Sequence, residues 1–168
     1  FACGYAQGVM AANPDATVIS SMTGTTPTAW NDPVKGGELA KAQVSQGADV
    51  IYAAAGGTGV GILQAAADEG VFSIGVDSNQ NFMHPGSVLT SMLKRVDNAV
   101  YEVFSEGLDG FEPGVTVLNL ESEGVGYAVD EFNEELITDE ITTAVEEAKA
   151  GIIAGDIEVH DYTSDDSC

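Results

Sequence analysis

The sequence predicts an α/β fold, a doubly wound parallel sheet with helices on both faces. Three observations carry that prediction. Runs of strand length alternate with stretches of helical period. The strand-length runs are apolar almost throughout rather than alternating, as strands buried on both faces are. And 168 residues, 44% of them hydrophobic, are enough for one domain with a real core.

In chain order, Ala2 to Met10 reads as a helix and Asn13-Pro14-Asp15 as a turn. Thr17 to Met22 reads as a buried strand, and Gly24 to Asn31 as a loop. Asp32-Pro33 opens the next helix: the aspartate caps free N–H groups, and proline is preset for a first turn. That helix runs to about Gln46, where Gly47 suits its C-terminal cap. Asp49 to Ala55 is a strand, Gly56 to Gly61 a glycine loop, and Ile62 to Glu69 a helix stopped by Gly70. Val71 to Val76 is a strand with Asp77 at its C-terminal end. A polar loop follows, then a strand over Val88 to Leu93 and a helix over Asp97 to Leu108. Val115 to Leu120 and Val125 to Val129 read as strands. Asp139 to Ala154 is an amphipathic helix with Ile141, Val145, Ala148 and Ile152 on one face. Ile157 to Tyr162 closes the series as a strand.

Charge narrows the function classes. Five basic residues against 27 acidic ones give a net charge of −22, and residues 101–168 alone carry −18. Nucleic-acid binding needs clustered Lys and Arg to neutralise phosphates, and this chain has no such cluster. An anionic membrane surface is disfavoured for the same reason. The acids are interspersed with apolar residues, the pattern of a solvated acidic surface, and the field suits a neutral ligand better than an anionic one. Cys3 and Cys168 stand at the two ends, outside any CxxC or Cys/His spacing, so no metal site is expected; a disulfide would require the termini to approach each other.

Ligands of parallel α/β sheets sit at the C-terminal strand ends. The loops to examine therefore follow Met22, Ala55, Val76 and Leu93. The glycine loop at 56–61 lacks both GK[ST] and GxGxxG; it reads as a tight turn or as a backbone contact for a neutral ligand rather than as a phosphate cradle. Asp77-Ser78-Asn79-Gln80-Asn81 imitates the start of a calcium loop, but Phe82 stands where glycine is needed and Val88 where glutamate is needed. Trp30 is the single tryptophan and lies in a loop of small and polar residues, which favours a stacking platform over a core position. Asp77 and Lys94 both fall at strand ends, where they could hold ligand hydroxyls or simply pair with each other. No nucleophile–base pair and no nucleophile elbow is visible, so an enzyme is not expected.

Several segments, taken together and in order, resemble one family. Asp32-Pro33-Val34-Lys35-Gly36-Gly37-Glu38-Leu39-Ala40 is similar to the DPxKGxELA helix of the basic membrane protein family, substrate-binding lipoproteins of nucleoside ABC importers. Gly47–Ile51, Ala55–Gly59, Ile74–Asp77 and Val88–Asp97 match it in spacing. The resemblance extends to about Tyr162 and covers the second half of the family's protein. It implies the second lobe of a type I periplasmic binding protein-like fold, with ligand held in a cleft between two lobes. It implies that Trp30 stacks on the base, that Gly57 and Thr58 approach the ligand through their backbone, and that Asp77 and Lys94 hold the ribose.

On that resemblance, 1–94 is the ligand-binding second lobe and 95–130 returns toward a first lobe. Residues 131–162 form a C-terminal helix and strand, and 163–168 a polar tail. An apolar helix face left uncovered in 97–108 would be costly, so the sequence is expected to be part of a longer protein. The implied function is capture of a neutral nucleoside, a purine one as read from the family, and its delivery to a membrane permease, without a cofactor. The implied location is the periplasm or a membrane-anchored position on the cell exterior. The alternatives are a sugar or modified purine on the same scaffold, and a structural or assembly role for a single lobe.

Overall fold

The computed structural model describes residues 1–110, 114–165 and 168. Helix α1 (Ala2–Ala12) comes first, and α2 (Pro33–Val44) begins as its sequence requires, with the Asp32 carboxylate accepting from Lys35 N at 3.0 Å and Pro33 in the first turn. Strand β1 (Val50–Tyr52), helix α3 (Gly59–Glu69), strand β2 (Phe72–Asp77) and strand β3 (Val88–Lys94) follow. Gly70 ends α3 at φ +72, the left-handed conformation glycine adopts without steric cost. Beyond β3 lie α4 (Val96–Gly110), β4 (Val125–Tyr127), α5 (Asp139–Ala154) and the short α6 (Tyr162–Asp165).

The sheet order is β1-β2-β3-β4, with β1, β2 and β3 parallel and β4 antiparallel to β3. The sheet is parallel, as expected, over β1 to β3; its β4 edge is antiparallel for a topological reason. A parallel neighbour needs a crossover that carries the chain back along the sheet. Here the chain leaves at Lys94, turns through 119–124 and re-enters at the same end: Arg95 N donates to Gly124 O, and Lys94 pairs with Val125. A strand starting there can only run the other way.

Two layers cover the sheet. Ile51 and Ala53 point to one face and join Ala40, Ile62, Leu63, Ala65, Ala66 and Val88 in the core between the sheet and α2/α3. Tyr52 points to the opposite face, where its ring stacks on Tyr5 of α1 with centroids 5.1 Å apart. Tyr127 reaches α5 by donating its hydroxyl to Glu146 Oε1 at 3.1 Å.

Helices α2 and α3 approach so closely that glycine is obligatory at the crossing. A Cβ on Gly61 would fall inside the Pro33 carbonyl group, and one on Gly36 would strike Thr58 O. Gly61→Ala is therefore expected to destabilise the fold by at least the about 1–3 kcal/mol typical of overpacking, because backbone rather than a flexible side chain must move. Urea denaturation checks this; an unchanged midpoint would remove the tight-crossing argument.

Three expected strands are absent. Thr17–Met22 is extended but joins no ladder; Gln43 Nε2 donates to Ile19 O at its flank. Residues 115–120 form no strand, and Val115 is 96% exposed. Ile157–Tyr162 is irregular and runs into α6 instead, fastened to α1 where His160 N donates to Gln7 Oε1. Each run is apolar enough for a strand, but none meets a free sheet edge among the described residues. The expected strand over Asp49–Ala55 is also shorter in its ladder, although Ala53 N still donates to Ile74 O. The end of the chain is tied back: Cys168 forms a disulfide with Cys3, the Cα atoms 5.4 Å apart.

Candidate ligand-binding site

The C-terminal ends of β1, β2 and β3 lie side by side at one edge of the sheet. This follows from the parallel register, which sets Tyr52 beside Ile74 and Asp77 beside Leu93. The residues singled out from the sequence stand in two groups, one around the glycine loop that follows β1 and one at the ends of β2 and β3. Trp30 ends a 3-10 turn over Pro27–Trp30 and is 62% exposed. Its ring lies along the glycine loop: a Cβ on Gly56 would sit 3.4 Å from Trp30 Cε3, and one on Gly57 would sit 3.2 Å from both Trp30 O and Asn31 Oδ1. The missing side chains let the indole lie against backbone.

Thr58 explains how this loop is held. It is fully buried, and its hydroxyl donates to Ala29 O at 2.8 Å while accepting from Asp32 N at 2.7 Å. One hydroxyl thus ties the Trp30 turn, the start of α2 and the glycine loop together. Its side chain is spent on the scaffold and its carbonyl packs on Gly36, so of the two loop residues expected to approach a ligand only Gly57 is exposed.

Asp77 closes β2 in a γ-turn: Ser78 N donates to Val76 O at 2.9 Å, and Asp77 has φ +71. Positive φ is uncommon for a residue with a Cβ, and Asp tolerates it better than most. Its carboxylate meets Lys94 Nζ at 2.6 Å, with the two side chains 49% and 43% exposed. Lys94 Nζ also stands 4.7 Å from the centre of the Phe1 ring, within the range of a cation–π contact. Below the pair, burial raises the Tyr52 hydroxyl pKa above the ordinary tyrosine value, with the Asp77 charge adding to the effect.

Phe1 and Tyr52 were missed in the sequence. Neither has a spacing signal: Phe1 stands ahead of the first helix, and Tyr52 reads as one more apolar residue of its strand. The calcium-like run at 77–81 has a different use. Gln80 Oε1 accepts from Val76 N, Gln80 N donates to Ser91 Oγ, and Ser91 Oγ donates to Asn81 Oδ1. These bonds are internal to the protein, and among the described residues no group of His, Cys, Asp or Glu is placed to hold a metal ion.

The profile of the Bmp family, described as ABC transporter substrate-binding protein PnrA-like, matches residues 1–162. The chain belongs to the Bmp family. Among its Bmp relatives, the ABC transporter nucleoside-binding protein BmpA of Lactococcus lactis is 32% identical over 95% of this chain and 48% of its own length. Basic membrane protein D of Borreliella burgdorferi is 33% identical over 78% of this chain and 39% of its own. A crystal structure of an ABC transporter solute-binding protein from Aeropyrum pernix superposes with a TM-score of 0.69 at 29% identity, over 92% of this chain and 50% of that one. The chain thus spans about half the length of the Bmp relatives it matches or less. The Bmp family is one of substrate-binding proteins, and the α/β arrangement seen here is theirs.

Proposed function

We propose that this chain forms the second lobe of a substrate-binding protein that holds a neutral nucleoside, purine by preference, and hands it to an ABC permease. The observation that supports the reading is that the Asp77–Lys94 pair stands at the C-terminal ends of β2 and β3, while Trp30 and the exposed Gly57 border the loop that follows β1; the buried Thr58 ties that loop to the Trp30 turn. The exposed indole offers a flat apolar face that accepts different bases. Asp77 accepts from vicinal ribose hydroxyls, and Lys94 donates to a hydroxyl or ring oxygen. Their mutual ion pair is half exposed, a class contributing about 0–1 kcal/mol, so a ligand replaces it at little cost. The strained turn at Asp77 has the character of a site where surrounding structure holds a costly backbone in place for a purpose.

The relatives are about twice as long, and we assign their other half to the opposing wall of the cleft. Helix α4 supports this. Val96, Val100, Val103 and Phe104 lie at helical spacing and are exposed, as are Val115 and Val117 after it. Segment 95–130 is where this lobe would meet that wall, and binding would favour the closed arrangement of the two. The Cys3–Cys168 disulfide agrees with an oxidising compartment outside the cytoplasm. No described helix is long and apolar enough to cross a membrane.

Calorimetric titration of the full-length protein with inosine, guanosine, adenosine and ribose tests the reading. Purine nucleosides are expected to bind more tightly than ribose, and absent or equal binding of all four would remove the nucleoside assignment. Asp77→Asn is expected to weaken inosine by about tenfold, the loss of one charge-assisted hydrogen bond.

A further inference from the structure

The γ-turn at Asp77 needs a restraint, since a strained backbone persists only where its surroundings over-determine it. Following the hydrogen bonds outward from the turn leads to a residue far along the chain. Val76 N, just before the turn, is held by Gln80 Oε1 at 2.9 Å. Gln80 is held in turn by Ser91 Oγ on β3, and Ser91 is held by Asn81, which is fully buried. Asn79 and Asn81 then converge on one atom: Asp130 Oδ2 accepts from Asn79 Nδ2 at 2.6 Å and from Asn81 Nδ2 at 3.1 Å.

Asp130 is itself fixed. Its Oδ1 accepts from Phe132 N at 2.9 Å, and its own N donates to Asn133 Oδ1 at 2.8 Å. Asn133 is buried and donates to Leu89 O and Ala128 O, which anchors the segment to β3 and to the residue after β4. The hydrogen bond from Asn79, with further ones from Phe132, Asn81 and Asn133, holds the Asp130 carboxyl below the ordinary aspartate range. The sequence between residues 78 and 81 therefore works as a short strap, closed at one end by the Asp77 turn and at the other by Asp130.

We propose that Asp130 is a positioning residue for Asp77: by holding Asn79 and Asn81 it fixes the strap, and thereby the direction in which the Asp77 carboxylate meets a ligand's hydroxyls. This rests on the reading of Asp77 as a ligand contact. Asp130 itself touches no part of the Trp30–Asp77–Lys94 cluster through any hydrogen bond or ion pair described above; its effect passes through the strap. Asn79 and Asn81 are the transmitting side chains, and the carboxylate is needed because both of its oxygens accept, Oδ2 from Asn79 and Asn81 and Oδ1 from Phe132 N, whereas an amide would turn its NH2 toward one of these donors.

The test is a double-mutant cycle on the full-length protein with inosine as the probe, using Asp130→Asn, Asp77→Asn and the two together. Asp130→Asn keeps the shape and removes the charge. It is expected to weaken inosine by about fivefold to twentyfold, within the range of coupling between residues sharing a network. In the Asp77→Asn background the same change is expected to have almost no effect on affinity. A loss that is equally large in both backgrounds would overturn the proposal and leave Asp130 a general structural residue. No loss on Asp130→Asn, with a clear loss on Asp77→Asn, would overturn the proposal while sparing the site. No loss on Asp77→Asn would overturn the site assignment and the proposal with it. Asn79→Ala, which cuts the strap from its other partner at an exposed residue, is expected to reproduce the Asp130→Asn cycle; if Asp130→Asn does not fold, the Asn79→Ala cycle decides by the same outcomes.

Discussion

Opening the Cys3–Cys168 disulfide is expected to lower the unfolding free energy by about 2–5 kcal/mol, the range for native cross-links, toward the upper end because the loop is long. The bond joins positions 165 residues apart, so in the unfolded chain it restricts almost everything between them. In the folded chain it fastens the start of α1, which otherwise holds to the sheet through the Tyr5–Tyr52 stack and to the C-terminal segment through Gln7 and His160. Urea denaturation with and without reductant, alongside a Cys3→Ser/Cys168→Ser variant, is the measurement. Both should shift the midpoint downward together. A variant as stable as the wild type, insensitive to reductant, would show that the cross-link contributes nothing. The site should feel the change as well, since Phe1, two residues from Cys3, lies against Lys94.

The second large effect concerns the ligand. Trp30→Ala is expected to weaken inosine binding by about tenfold to a hundredfold, the size of removing one base–aromatic stack. Stability should change little, because the ring is mostly exposed and makes its main contact with glycine backbone. Trp30→Phe should keep most of the affinity, since it retains a flat apolar face. Ribose, which has no base, should bind the Ala variant as it binds the wild type. Equal losses for ribose and inosine in calorimetry would mean that Trp30 shapes the loop rather than stacking on the ligand.

Acid should act on the strap in a defined direction. The Asp130 pKa is lowered in the folded state by the hydrogen bonds it accepts, Asn79 foremost. Its contribution to stability is therefore fully present above the unfolded aspartate pKa of about 4 and is lost as the pH falls through the lower folded value. Circular dichroism titration below pH 4 is expected to show Asp130→Asn losing less stability with acid than the wild type.

The parts legible from the sequence share a property: their determinants are local. Asp32-Pro33 announces the start of α2 because the cap and the preset φ act within four residues. Gly70 announces the end of α3 because only the left-handed conformation is at issue. The alternation of β1, α3, β2 and β3 follows from hydrophobic period alone. Asp77 and Lys94 meet because parallel strands bring their C-terminal ends to one side, as the sequence reading assumed; Trp30 reaches the glycine loop through its 3-10 turn and Thr58, not through a strand of the sheet.

What the sequence left open depended on partners distant along the chain. The apolar runs at 17–22, 115–120 and 157–162 look like strands, but a strand exists only where a neighbouring edge offers N–H and C=O groups, and hydropathy carries no record of that edge. The run from Asp77 to Asn81 could be dismissed as a calcium loop, but its actual use required Asp130 and Asn133 to arrive from some 50 residues away. The same holds for Phe1 over Lys94 and for the disulfide between the chain's two ends. By itself, then, the sequence determined the long helices and the three parallel strands, because short-range sterics and periodicity decide them. Tertiary structure alone decided the direction of β4, the strap that braces Asp77 and the closure of the termini, because those depend on which distant groups come within hydrogen-bonding or bonding reach.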